Sequence, residues 1–197
     1  SCVANDTVFI TSLGLAPTAN FSVDTLCESQ QTIFLDQSLP SGSTLNSWSW
    51  NFGDINQSSL PNPSTTFQNS GFYQVELQVG AINGCFDDTT ITVEVIQGPS
   101  ANFSFDVICA GSSANLGDES FSNTANPVSS WFWDFGAGQT SNTQVPSFTL
   151  SNEGNYPVQL IVSNEYGCYD TINKLVEIFP ALLPDFEAEQ ICIGDTT

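Results

Sequence analysis

The sequence predicts an all-β protein whose main body is two β-sandwich domains in tandem. The numbers of Trp50 and Trp133 differ by 83, and so do those of Cys85 and Cys168, which indicates one repeat period. Both copies contain short segments in which apolar and polar residues alternate, as in half-buried strands. No segment shows the helical period, so closed sheets packed face to face are the expected architecture.

The period continues beyond the two complete copies. Cys2 precedes Cys85 by one period, and Cys192 follows Cys109 by one period, so we interpret the sequence as a segment that begins and ends within repeats. The expected pieces are the end of a preceding repeat (1–16), a first repeat (17–98), a second repeat (99–182) and the start of a following repeat (183–197).

The strongest strand predictions lie around a hairpin that recurs in each repeat. In the first repeat the apolar face is formed by Tyr73, Val75, Leu77 and Val79, and in the second by Tyr156, Val158, Leu160 and Val162. Asn83-Gly84 and Tyr166-Gly167 follow these runs at the position of a tight turn, after which the alternation resumes. Upstream, the alternation of Trp50 and Phe52 with polar residues predicts a further core strand.

Composition excludes several classes of function. The formal net charge is −20, so nucleic acids and anionic membranes would repel the chain. No apolar run is long enough to span a bilayer, and no membrane insertion is expected. Lys174 is the only base and there is no His, so no catalytic triad, no Cys–His pair and no imidazole metal site can form, and we do not expect an enzyme.

Two motifs, each present in both repeats, resemble the PKD-domain signature. They are WSWNFGD from Trp48 and WFWDFGAG from Trp131, and GFYQVELQV from Gly71 and GNYPVQLIV from Gly154. The resemblance implies an immunoglobulin-like fold. Arrays of such domains with regularly spaced cysteines are similar to Bacteroidota surface proteins of the type IX route, including gliding-motility adhesins of the SprB kind, which implies an extracellular, cell-surface location.

Six cysteines without histidine favour disulfides and an oxidising compartment. The simplest pairing is intradomain, joining Cys27 to Cys85 and Cys109 to Cys168. However, we expect Cys27 in the turn after the first strand and Cys85 beyond the last hairpin, at ends of a sandwich about 20 Å apart, too far for a disulfide. We therefore favour an interdomain Cys27–Cys168 bond. Free thiols are the third alternative.

Stacking of the sandwiches end to end is expected from the short connection at residues 97–100, which would bring the two cysteines of this bond together. Phe86 and Tyr169 each follow a hairpin cysteine, and we expect them to cover that junction. The other four cysteines would then pair with neighbouring repeats.

Asp36 and Asp118 each lie two positions before a serine, where a carboxylate accepts backbone N–H bonds and caps a turn. Calcium ligation is the alternative for these acids, and no other cofactor is expected. Phe132 is predicted on the outer face of its strand, where the first repeat has Ser49, and we favour a local patch there over a sugar-binding platform.

Recurrent Asp-Thr pairs resemble the O-glycosylation acceptor of Bacteroidota. The candidate acceptors are Thr7, Thr25, Thr89, Thr171 and Thr196. Glycans at such positions would protect exposed edges and loops from proteolysis.

The leading functional prediction is a structural stalk or filament segment of a large extracellular adhesin. Its partners would be neighbouring repeats, identical chains within a filament, and a surface or polysaccharide target bound by another part of the parent protein. The alternative is an accessory, polysaccharide-binding module array of a secreted hydrolase.

Overall fold

The computed structural model of the chain describes residues 14–53, 56–136 and 138–181, and every regular element in these ranges is a β-strand. The first eight strands are β1 (Phe21–Val23), β2 (Leu26–Cys27), β3 (Gln31–Asp36), β4 (Leu45–Asn51), β5 (Gln57–Ser58), β6 (Ser64–Thr66), β7 (Gly71–Ala81) and β8 (Phe86–Ile96). The next eight are β9 (Phe103–Phe105), β10 (Ile108–Cys109), β11 (Ser113–Asp118), β12 (Val128–Asp134), β13 (Thr140–Ser141), β14 (Ser147–Thr149), β15 (Gly154–Asn164) and β16 (Tyr169–Phe179).

Each repeat forms two sheets with the same strand order. The first repeat has a three-stranded sheet, β1-β3-β6, and a five-stranded sheet, β2-β8-β7-β4-β5. The second repeat has the sheets β14-β11-β9 and β10-β16-β15-β12-β13, which are the same arrangement eight strands later in the chain. The predicted all-β tandem sandwich is confirmed.

The short strands β2 and β10 correct one prediction. Cys27 lies in β2, paired in parallel with Ile96 of β8, and not in a turn. The chain leaves the first sheet after Val23, which pairs with Phe34, and enters the second sheet at Leu26, which pairs with Val95. The sequence pattern did not distinguish β2 from β1, because β2 is short and begins soon after β1 ends. The prediction was therefore a single strand followed by a turn.

The long hairpin of β7 and β8 follows the predicted alternation. Val75, Leu77 and Val79 are fully buried, and the register runs without interruption from Gly71 opposite Val95 to Gly80 opposite Phe86. At the turn, Gly84 has φ +82°, a left-handed conformation that glycine adopts without strain. Gly167 has φ +83° at the same place in the second repeat, so both predicted hairpins are confirmed.

A tryptophan lies at the centre of each core. The Trp50 ring meets Phe21 edge-on at 5.2 Å and stacks on Phe52 at 5.9 Å between ring centroids. Its indole N–H donates to the Leu60 carbonyl oxygen at 2.9 Å, which removes the cost of burying that polar group. In the second repeat the Trp133 indole donates to the Thr143 carbonyl oxygen at 3.0 Å.

The described residues divide into two compact units. The first contains the first repeat together with residues 121–129 and 163–170, and the second contains residues 101–120, 130–162 and 171–181. Both cysteines of the predicted interdomain pair therefore belong to the first unit. Within the described part of the chain there is no helix long and apolar enough to cross a membrane.

Candidate functional site

A disulfide joins Cys27 to Cys168, which are 141 residues apart in the sequence. Their Cα atoms are 5.5 Å apart, within the usual range for bonded cysteines, and both residues are buried. The bond encloses most of both repeats in one covalent loop.

Backbone pairing fixes the Cys27 side of the bond. Cys27 is opposite Ile96 in the parallel pair of β2 and β8, and the next residue, Glu28, donates its N–H to the Ile96 carbonyl oxygen at 3.0 Å. The strand pair therefore sets both the position and the direction of the Cys27 side chain.

The hairpin between β15 and β16 holds Cys168. The backbone N–H of Cys168 donates to Asn164 Oδ1 at 3.0 Å, and the N–H of Asn164 donates to the Cys168 carbonyl oxygen at 3.0 Å. Asn164 is itself buried, and its Nδ2 donates to the Gln97 carbonyl oxygen at 3.3 Å. The Asn164 side chain thus connects the turn that carries Cys168 to the linker at Gln97.

The intradomain alternative does not occur in the structure. Cys85 and Cys109 have free thiols and are half-buried, so neither bonds Cys27 or Cys168. The backbone N–H of Cys85 donates to Asn83 Oδ1 at 3.1 Å, and the Cys85 thiol lies 3.5 Å from the Gly14 carbonyl oxygen. Cys2 and Cys192 lie outside the described residues.

Asp36 and Asp118 cap turns as predicted. Asp36 Oδ1 accepts the Ser38 backbone N–H at 2.9 Å, and its Oδ2 accepts the Trp48 indole N–H at 2.7 Å. Asp118 makes the same two bonds, to Ser120 at 2.9 Å and to Trp131 at 2.7 Å. N–H donors therefore occupy both carboxylate oxygens of each acid, as expected for a turn cap.

The tryptophan partners of these acids are contacts that the sequence analysis missed. Alternation predicts the strand that contains Trp48, but it does not predict which residue accepts the hydrogen bond of the half-buried indole N–H. The recurrence of both the acid and the tryptophan in each repeat was the available signal. For the calcium alternative, the described ranges contain no group of three or more acidic, cysteine or histidine side chains that could hold a metal ion.

Replacing Asp36 with alanine is expected to lower the free energy of unfolding by about 2 to 3 kcal/mol, because it removes two hydrogen bonds to a charged acceptor. The Trp48 indole N–H, which is partly buried, would lose its partner. Denaturant unfolding monitored by tryptophan fluorescence measures this change. The matched control is Asp24→Ala at an exposed acid, and equal losses in the two variants would contradict the capping role.

Phe86 and Tyr169, which we expected to cover the junction, leave more than half of their side chains exposed. Their side chains are 67% and 56% exposed. Phe86 and Tyr169 are the first residues of β8 and β16 and lie on the exposed face of these strands, which accounts for the exposure. Phe132 is 40% exposed, as predicted for the outer face of its strand.

The threonines of the Asp-Thr pairs differ in accessibility. Thr25 and Thr171 are exposed. Thr89 is half-buried and lies opposite Leu77, a core residue, so its hydroxyl shares the inward face of the hairpin. Thr7 and Thr196 lie outside the described residues, and glycan attachment at all five positions stays a prediction.

The sheet order, the central tryptophans and the capped turns define tandem β-sandwich modules of the immunoglobulin-like class. A family model described as the PKD domain matches residues 15–96 and again residues 97–178. The chain therefore belongs to the PKD domain family. Domains of this family occur in secreted and extracellular proteins and are typically non-catalytic.

The similar proteins include a metalloprotease from Vibrio. The chain is 34% identical over 74 residues to the pre-pro-metalloprotease PrtV of Vibrio cholerae serotype O1 (strain M66-2). This match covers 37% of the chain and 8% of PrtV, so the chain spans a small fraction of that relative.

Two solved structures are also similar to parts of the chain. The PKD1 domain of Vibrio anguillarum Epp is 32% identical with a TM-score of 0.38, over 41% of this chain and 94% of that one. The PKD1 domain of the Vibrio cholerae metalloprotease PrtV is 27% identical with a TM-score of 0.38, over 41% of this chain and 98% of that one.

Proposed function

We propose that the chain is a structural stalk or filament segment of a large extracellular, cell-surface adhesin, in which disulfides tie consecutive PKD repeats together. The observation that carries this proposal is the Cys27–Cys168 bond. Its partners are 141 residues apart, further than the repeat period, so they belong to different copies of the repeat. Such a bond suits a protein in which the connection between consecutive repeats must withstand tension.

The mechanical effect of this bond follows from its covalent topology. Tension applied at the two ends of the chain passes directly from Cys27 to Cys168 through the sulfur atoms. The residues enclosed between them are then protected from extension even when their domains unfold. The net charge of −20 adds self-repulsion that would keep long arrays dispersed.

The two free thiols fit a repeating pattern of the same bond. Cys85 lies one repeat period before Cys168, and Cys109 lies close to one period after Cys27, so each has the repeat position of a bonded cysteine. In a longer array, Cys85 would bond a preceding repeat and Cys109 a following one. Neighbouring repeats of the same chain are therefore the proposed partners.

Peptide mapping of the native surface protein without reduction tests the pattern of bonds. Digestion with Glu-C and chymotrypsin is expected to yield the Cys27 peptide joined to the Cys168 peptide, with Cys85 and Cys109 joined to cysteines of adjacent repeats. Recovery of Cys27 joined to Cys85 would overturn the proposal, because each domain would then be closed on itself.

Pulling single molecules by their ends tests the mechanical role. After both domains have unfolded, reduction of the Cys27–Cys168 bond is expected to lengthen the chain by up to about 500 Å, because the segment between the cysteines, which are 141 positions apart, becomes extensible. The Cys27→Ala, Cys168→Ala double variant should give no step on reduction. A wild-type chain without a reduction step would show that the bond does not carry load.

A second candidate function is an accessory repeat of a secreted hydrolase. The similarity to PrtV favours it, since that relative is a metalloprotease and the match covers only 8% of its length. The catalytic residues would then lie outside this segment, and the repeats would serve as spacers or polysaccharide-binding modules. The parent sequence distinguishes the two: further repeats of the same period support the stalk, and a catalytic domain supports the hydrolase.

A further inference from the structure

The environment of Lys174 is unusual for the only base in a chain of 197 residues with 21 acids. Lys174 lies in β16 and is half-buried. Its Nζ donates to Asn102 Oδ1 at 2.9 Å and also contacts the Phe103 carbonyl oxygen. The same nitrogen stands 4.8 Å from the centroid of the Phe103 ring. The amine is thus held against a side-chain amide.

A carboxylate completes the group. Asn102 Nδ2 donates to Glu119 Oε2 at 3.1 Å. The Asn102 amide is therefore placed between a primary amine on its oxygen side and a carboxylate on its nitrogen side. These are the three groups that a transamidation needs: a nucleophile, an acyl carbon with a leaving group, and a residue that can move a proton between the two nitrogens.

We propose that Lys174 and Asn102 join to form an intramolecular isopeptide bond, with Glu119 as the proton carrier. Once the Lys174 ammonium has lost one proton to water, the lone pair of Nζ attacks Asn102 Cγ, and the new C–N bond forms as the Cγ–Nδ2 bond breaks. Glu119 accepts a proton released from Nζ and delivers it to Nδ2, which leaves as ammonia. The products are one secondary amide and one ammonia, and no oxidant, cofactor or other reactant is consumed.

Positioning lowers the activation barrier of this step. The hydrogen bond from Nζ to Asn102 Oδ1, at 2.9 Å, holds the amine next to the acyl carbon to which that oxygen is bonded. Effective molarities of about 10⁵ M or more are reached when such groups are held together. The Phe103 ring covers one side of Nζ, and Glu119 on the other side of the amide is exposed.

The first repeat contains a matched site that lacks the reactive groups. The backbone N–H of Asn20 donates to Ser38 Oγ at 3.1 Å, just as that of Asn102 donates to Ser120 Oγ at 3.1 Å, so the two asparagines correspond. Gln37 and Ile91 stand where the second repeat has Glu119 and Lys174. The amide of Asn20 is used instead as a local acceptor, with its Oδ1 bound to the Phe21 N–H at 2.9 Å.

The bond would close the second repeat covalently. Asn102 immediately precedes β9, the first strand of this repeat, and Lys174 lies in β16, its last strand. A crosslink between these residues, which are 72 positions apart, encloses the strands that build the rest of the sandwich. Tension between the ends of the repeat would then pass through the crosslink without unravelling these residues.

A digest with the protease Lys-C tests the proposal on the reduced and denatured 197-residue chain. Lys174 provides the only cleavage site, and an acylated lysine is not cleaved. The wild-type chain is expected to resist cleavage and to have a mass lower than calculated by one ammonia. Fragmentation of a chymotryptic digest should identify a branched peptide that contains both Asn102 and Lys174.

Three variants separate crosslinking from folding. Glu119→Gln and Lys174→Arg are expected to have the full calculated mass, and Glu119→Gln should be cut by Lys-C into two fragments. Asn20→Ala, at the matched site, should keep the loss of ammonia and the resistance to Lys-C. Near-ultraviolet circular dichroism checks that each variant is folded.

A wild-type chain of full mass that Lys-C cleaves would overturn the proposal and leave the Lys174–Asn102 contact as a hydrogen bond. Loss of ammonia with normal cleavage would also overturn it, because a succinimide at an asparagine gives the same mass. In the pulling experiment, an intact crosslink should reduce the step released by disulfide reduction to about half, and Lys174→Arg should restore the full step.

Discussion

Removal of the Cys27–Cys168 disulfide is expected to lower the free energy of unfolding by about 4 to 5 kcal/mol. The bond closes a loop of 141 residues, and a loop of that length strongly restricts the conformations of the unfolded chain. The folded state also loses a buried apolar bridge between β2 and the hairpin that carries Cys168. Guanidinium unfolding of the Cys27→Ala, Cys168→Ala double variant, monitored by tryptophan fluorescence, measures the loss.

The chain provides its own control for this experiment. Cys85→Ala with Cys109→Ala removes two cysteines at the corresponding repeat positions, and these have free thiols in the structure. That variant is expected to stay within about 1 kcal/mol of the wild type, because no loop is opened. Similar losses in both double variants would show that the disulfide adds nothing beyond the packing of the cysteine side chains.

Truncation of Trp50 to alanine is expected to cost about 4 kcal/mol, within the usual range for a buried aromatic residue. Trp50 is 1% exposed and packs against the rings of Phe21, Phe34 and Phe52. Its removal leaves a cavity lined by these rings and deprives the Leu60 carbonyl oxygen of its indole donor. Urea unfolding gives the change in stability directly.

Phe72→Ala is the comparison for Trp50→Ala, because Phe72 lies in β7 of the same sheet but is 74% exposed. We expect this variant to change the free energy of unfolding by less than about 0.5 kcal/mol. A loss of stability in Phe72→Ala comparable to that in Trp50→Ala would contradict the exposure of Phe72, because it would mean that this side chain is packed.

The strands of the core could be predicted because burial on one face leaves a period of two in the sequence. Val75, Leu77 and Val79 show this pattern, and the glycine of each hairpin marks the turn. The caps at Asp36 and Asp118 were also predictable, since an acid shortly before a serine is a local arrangement that needs no tertiary contact.

Features that depend on distant contacts could not be predicted in the same way. The change of Cys27 from a turn to a strand depends on its pairing with Ile96, which lies at the other end of the repeat. The partner of the Trp48 indole is likewise set by packing between two sheets. The exposure of Phe86 and Tyr169 follows from their position on the outer face of β8 and β16, where every second residue is exposed.

The group of Asn102, Glu119 and Lys174 was missed because folding alone brings these three residues together. One sequence signal was present. Lys174 occupies the alternating position that continues to Val176 and Ile178, an apolar face on which the first repeat has Ile91. A single base on the inward face of a strand, in a chain otherwise without bases, indicates a specific contact.

The parallel pairing of β2 with β8, and of β10 with β16, determines how each domain resists a pull on its ends. In each pair one strand lies near the start of the repeat and the other at its end. Where no covalent crosslink carries the load, as after reduction of the Cys27–Cys168 bond, opposite forces on the two ends of a domain slide one parallel strand along the other. The interstrand hydrogen bonds must then rupture together in shear, whereas in an antiparallel pair pulled from its open end they would unzip one at a time.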